Sequence, residues 1–174
     1  LGNLGAIQRN LATSGGVIRA GEVKGTLRAE TLAGSIHVQK VGGNVMAGTS
    51  GGSIEIGRVS GSVDADTAGG SIKIGSAPSG VHVETAAGNI RLYDVAGAVR
   101  AATAAGSIQA YFLAGPPLKE SQLETLGGRI VVFQQKSLPI TVEARVELAN
   151  RLNRIVSEFS DIRVRRVGDG FGPG

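Results

Sequence analysis

Seven threonines, Thr13, Thr31, Thr49, Thr67, Thr85, Thr103 and Thr125, recur at a spacing of 18 residues that lengthens to 22 only at the last step. A period this strict restricts the chain to a repeat architecture, in which each unit buries its apolar face against the copies beside it. Counted from each threonine, glycine stands at +3 from Gly16 to Gly128 and isoleucine at +5 from Ile18 to Ile130, without exception. A second glycine follows at +12 in most units (Gly25, Gly43, Gly61, Gly97, Gly115). An apolar residue comes next at +14 (Leu27, Val45, Val63, Val81, Val99), and usually alanine at +16. Each unit is thus two nine-residue halves, Gly-x-Ile-x-apolar and Gly-x-Val-x-Ala-x-Thr.

Within each half apolar and polar residues alternate, the period of a strand with one buried face. Glycine and alanine fall where the chain turns or two backbones approach, and β-branched residues dominate the inward positions. The pattern predicts an all-β chain, a parallel β-solenoid of the β-helix or β-roll kind with about seven coils and two short strands per coil. Coils stacked about 4.8 Å apart give a rod about 34 Å long, and the handedness of parallel crossovers predicts a right-handed winding. One domain over 1–174 is expected, with repeats over 1–133, a short β cap over 134–167 and a glycine-rich tail over 168–174.

Composition narrows the function classes. The 28 glycines hold fixed columns rather than low-complexity runs. With no cysteine there is neither a disulfide framework nor a thiolate nucleophile or metal ligand. The net charge of +4 is spread along the chain, and with six aromatics and no basic tract in the repeats nucleic acid is not an expected partner. No stretch approaches the roughly 18 apolar residues of a membrane helix. A chain that opens on Leu1 already near a repeat start reads as a fragment, with targeting and any membrane contact expected from a segment outside it.

The repeat is interrupted twice before it ends. Ala77-Pro78-Ser79-Gly80 is expected to reshape one turn without changing the coil length, and Gly115-Pro116-Pro117-Leu118-Lys119-Glu120 to bulge from an edge, since proline cannot join a central ladder. After Val132 the period is lost, and Ile140, Val142, Ala144, Val146 and Leu148 alternate as a strand does. A helix through Val142, Val146, Ala149, Leu152, Ile155 and Phe159 fits the spacing almost as well, but β-branching favours strands.

The unit Thr49-Ser-Gly-Gly-Ser-Ile-Glu-Ile-Gly-Arg-Val-Ser-Gly-Ser-Val-Asp-Ala-Asp, together with the closing Ile155-Val156-Ser157-Glu158-Phe159, resembles the bacterial adhesin-domain family. The resemblance covers nearly the whole chain. It implies a β-solenoid protein of the bacterial cell envelope or surface, outside the cytoplasm, whose partner is a surface protein, a polysaccharide or another envelope component. It brings no catalytic residue and no cofactor.

Few residues suggest chemistry. Gly48-Thr49-Ser50-Gly51-Gly52 matches a nucleophile-elbow pattern, but no helix follows, and the same place in the repeat is Ser14 in coil one and leucine or alanine elsewhere, so the match is a by-product of the repeat. The turns carry Ser, Ala and Thr where a calcium β-roll needs aspartates, so no cofactor is expected. Asp64 and Asp66 on one strand are expected beside His82 and Glu84 on the next. That set could ligate a metal or supply the paired carboxylates of a carbohydrate-active enzyme, the alternative to a non-catalytic module, although a convex strand offers no cleft to exclude water. Tyr93, Tyr111 and Phe133 share position +8 in three consecutive coils and should stack as a ladder. Such a ladder is either a ligand-docking strip or a face covered by the chain after Pro139.

Overall fold

The computed structural model describes residues 8–113, 121–134 and 142–146, all strand, turn or bend with no helix among them. In chain order the strands are β1 (Gln8–Thr13), β2 (Ile18–Val23), β3 (Thr26–Thr31), β4 (Ile36–Val41), β5 (Val45–Thr49), β6 (Ile54–Val59), β7 (Val63–Thr67) and β8 (Ile72–Ser76). They continue as β9 (Val81–Thr85), β10 (Ile90–Val95), β11 (Val99–Thr103), β12 (Ile108–Phe112), β13 (Ser121–Thr125), β14 (Ile130–Gln134) and β15 (Val142–Val146). Odd-numbered strands form one eight-stranded sheet and even-numbered strands a seven-stranded sheet. Every strand pairs in parallel with its copy in the next coil, so the chain is a parallel β-solenoid of two strands per turn, as the period predicts.

The core lies between the two sheets. Ile36, Ile54, Ile72, Ile90 and Ile108 form its central row, and Leu27, Val45, Val63, Val81 and Val99 face them from the larger sheet. A further inward column, Val23, Val41, Val59, Ala77 and Val95, stands at +10. It is reached because residues +8 and +9 of the first four coils both face outward, as in Gly21–Glu22 and Gly57–Arg58. The alternation read from the sequence breaks there, at a bulge. In the fifth coil Asp94 adopts a left-handed φ of 46° at this point. In the sixth the bulge is gone, and Phe112 pairs with Val95 and fills the inward slot.

The threonine column joins the coils. Each buried hydroxyl accepts a hydrogen bond from the amide of its own +3 glycine and donates one to the carbonyl of the +3 glycine one coil earlier. For Thr67 these bonds run from Gly70 N at 3.3 Å and to Gly52 O at 2.8 Å. The same pair of bonds recurs at Thr49, Thr85, Thr103 and Thr125. Glycine is obligatory at +3 because the coils touch there: a Cβ on Gly70 would overlap the carbonyl of Gly52. At +4 a second, exposed series links coils, Ser53 Oγ accepting from Ser71 N at 3.2 Å and Asn89 Oδ1 from Ser107 N at 2.8 Å.

The interruptions leave this stacking intact. Around Pro78, Ser79 Oγ donates to the carbonyl of Ser60 at 3.0 Å and Gly80 takes a φ of 135°, while Val63 and Val81 stay in register. The stretch from Gly115 to Glu120, which carries the four extra residues, lies outside the described residues, yet Thr103 on β11 still pairs with Thr125 on β13. Beyond the last repeat, β15 falls within the expected cap. It extends the larger sheet in parallel, Val142 opposite Ser121 and Val146 opposite Thr125, so the strand reading of this stretch holds. The rest of the expected cap and the tail lie outside the described residues.

Ile72 is fully buried at mid-rod between Ile54 and Ile90. Replacing it with alanine is expected to cost about 2–5 kcal/mol, because neighbouring coils on both sides prevent collapse of the cavity. Urea unfolding of Ile72→Ala against the wild type measures this, and an unchanged midpoint would contradict the inward column.

Candidate functional site

Two outward features are candidates. On the larger sheet, parallel pairing puts Asp64 opposite His82 and Asp66 opposite Glu84, the adjacency expected from the period. The four side chains do not converge, and no group of three His, Asp or Glu among the described residues is arranged to hold a metal ion. The metal reading of Asp64, Asp66, His82 and Glu84 therefore gains no geometric support. His82 turns along its own strand, with Nε2 3.5 Å from Glu84 Oε1, instead of across the ladder to Asp64. Successive outward residues of a strand share one face, so this contact needs no backbone adjustment.

Asp66 carries a perturbed carboxyl. Partial burial raises its carboxyl above the usual range, and the charges of Asp64, Glu84 and Glu30 push in the same direction against a smaller opposing effect of His82. It lies where two open grooves meet along the threonine corner. One, of about 520 Å³, is lined by Glu30, Leu32, Gly48, Ser50 and Asp66, and the other, of about 490 Å³, by Asp66, Glu84, Ala86, Ala102, Glu124 and Leu126. Neither encloses a substrate-sized space, so a carboxylic acid here works against bulk water.

On the smaller sheet Tyr93, Tyr111 and Phe133 stack as the spacing predicts. Ring centroids are 5.1 Å apart for Tyr93–Tyr111 and 4.3 Å for Tyr111–Phe133, with interplanar angles of 14° and 7°. The stacking spends the ring faces on one another and leaves mainly their edges outward, with Phe133 37% exposed. A partner meets a ridge of ring edges running along the rod instead of a platform for one sugar ring. Toward the N-terminal coils the ridge ends at Gly75 and Gly57, and a groove of about 400 Å³ opens there, lined by Gln39, Lys40, Gly57, Arg58, Gly75, Ser76 and Asp94.

Charged side chains on the smaller sheet pair between coils, which the sequence reading did not bring out. Lys40 Nζ lies 2.8 Å from Glu22, and Lys73 Nζ 2.8 Å from Glu55, which His37 Nδ1 also approaches at 3.3 Å. These hydrogen bonds hold the carboxyls of Glu22 and Glu55 below the usual range and raise the ammonium of Lys73. The signal was present as His37, Glu55 and Lys73 at +6 and Glu22 and Lys40 at +9. The +9 set, however, faces outward only because of the bulge. Comparison with family models, curated proteins and solved structures finds no match to this chain.

The raised carboxyl of Asp66 fixes the sign of its effect on stability. The fold binds this proton more readily than the unfolded chain, so the ionised group costs stability above its folded pKa, and the cost disappears as pH falls through that value. Asp66→Asn is expected to raise Tm at pH 7 by no more than a few degrees, with the gain vanishing on acidification. Thermal melts from pH 7 down to pH 3 measure it. A variant less stable at pH 7, or a gain independent of pH, would contradict the assignment.

Proposed function

We propose that this chain is a non-catalytic module of a bacterial cell envelope or surface, an adhesin-like rod that holds its outward side chains in a fixed pattern for a macromolecular partner outside the cytoplasm. The observation that carries the reading is the Tyr93–Tyr111–Phe133 ladder. Its rings are mutually stacked before any partner arrives, so binding orders little side-chain freedom and gains nearly all of the buried apolar area. In-register pairing keeps each outward column at the spacing of the coils, which suits an extended partner, a polysaccharide or a surface-protein segment, lying along the rod. The envelope placement draws on the resemblance of the Thr49–Asp66 unit to adhesin-domain repeats. No helix among the described residues is long and apolar enough to cross a membrane.

A carbohydrate-active enzyme is the second reading. It is favoured by the raised carboxyl of Asp66 beside Glu84 and weakened by the open grooves around them. One experiment separates the two. The full chain and a Tyr111→Ala/Phe133→Ala variant, each checked by circular dichroism for an intact β signal, are titrated onto immobilised bacterial envelope polysaccharide while soluble reducing ends are assayed. The module reading expects the variant to bind at least about tenfold more weakly and no sugar to be released. Equal binding would remove the ladder as the docking strip, and sugar release that stops in Asp66→Asn would establish the enzyme.

A further inference from the structure

The rod carries opposite charge on its two faces. Among the described side chains on the outer face of the larger sheet, Glu30, Asp64, Asp66 and Glu84 stand against Arg28 and Arg100, and Arg28 is already engaged by Glu30. On the outer face of the smaller sheet Arg19, Lys40, Arg58, Lys73 and Arg91 stand against Glu22, Glu55 and Asp94. Glu22 and Glu55 are taken by Lys40 and Lys73, and no carboxylate among the described residues lies within ion-pair distance of Arg19, Arg58 or Arg91. Each face therefore holds surplus charge that its own side chains do not neutralise.

We infer that the rod associates side by side with further copies of itself, the acidic outer face of the larger sheet of one copy seated on the basic outer face of the smaller sheet of the next. The occupant is a second copy because the two faces share one repeat. Glu30 and Asp66 share one column two rungs apart on the larger sheet, while on the smaller sheet Arg19 and Arg91 share a column four rungs apart and Arg58 lies on the rung midway between them in a neighbouring column. Charges on both faces therefore lie at whole multiples of the same coil spacing of about 4.8 Å, so a rung of one face can meet a rung of the other. Like-charge crowding around Asp66 is relieved when a basic face covers it, whereas contact between two like faces worsens it.

Strands of five or six residues and about 4.8 Å per coil give each face roughly 600 Å², so the contact buries about 1,200 Å² in all. That is the lower end for a specific interface, and the association is weak and screened by salt. Because the two surfaces differ, the contact does not close on itself, and copies add one after another. The inference goes beyond the surface-module reading and stands or falls separately from it.

Sedimentation velocity of the full chain over a range of concentrations, in about 0.01 M and about 1 M salt, tests it. The apparent mass is expected to at least double with concentration at low salt and to stay monomeric at high salt. Two neutralised variants, Asp64→Asn/Asp66→Asn and Arg58→Gln/Arg91→Gln, are each expected to be monomeric at low salt with unchanged circular dichroism. Their equimolar mixture should give one-to-one dimers that do not grow, since only one intact acidic face and one intact basic face remain per pair. A wild type that is monomeric at low salt, self-association indifferent to salt or to both variants, or a mixture that stays monomeric would each overturn the inference.

Discussion

The stacking of this solenoid depends on one side-chain hydroxyl per coil. A solenoid of short parallel strands must turn twice in every coil, and each turn takes backbone groups out of the ladders while the core excludes the water that would otherwise serve them. The column threonine meets both needs at its corner. Its hydroxyl accepts from the turn amide of its own coil and donates to the turn carbonyl of the coil before, while its methyl group and backbone stay in the packed face. Repetition makes this a continuous buried chain of hydrogen bonds parallel to the rod axis, and glycine stands at +3 because the approach that makes the bond short leaves no room for a Cβ.

Everything outward follows from that alignment. Once corners are superimposed, equivalent residues of successive coils lie side by side, and a chemical preference at one position becomes a stripe along the rod. Tyr93, Tyr111 and Phe133 become a stacked ridge, and Glu22–Lys40 and Glu55–Lys73 become inter-coil ion pairs. Exposed pairs of this kind add little stability. The same alignment sorts the remaining charge by face, with an acidic excess on the larger sheet and a basic excess on the smaller among the described side chains, which the overall composition conceals.

The inward face was legible because burial imposes one chemistry on every copy: Ile at +5, apolar residues at +14 and Thr at the corner recur regardless of what the surface does. The ring ladder was legible for the same reason, since position +8 maps to one stripe. Three features were not. The bulge at +8 and +9 places Val41 and Val59 inward out of phase with the alternation, and nothing in a two-residue period announces the slip. The continuation of the larger sheet through β15 survives the loss of the Thr-x-x-Gly signature, because strand pairing is a backbone property and tolerates a changed corner. The orientation of His82 toward Glu84 rather than Asp64 is a rotamer choice, which spacing does not determine.

The most direct measurement compares Thr67→Val with Thr67→Ser by urea denaturation. Valine keeps the buried shape but removes the hydroxyl, leaving Gly70 N–H and Gly52 C=O without their partner, whereas serine keeps the hydroxyl and loses only a methyl group. If the threonine relay holds the coils in register, Thr67→Val loses about 2–4 kcal/mol and Thr67→Ser only about 1 kcal/mol. A valine variant as stable as the wild type, or less destabilised than the serine variant, would show that apolar packing alone aligns the coils and would contradict the account.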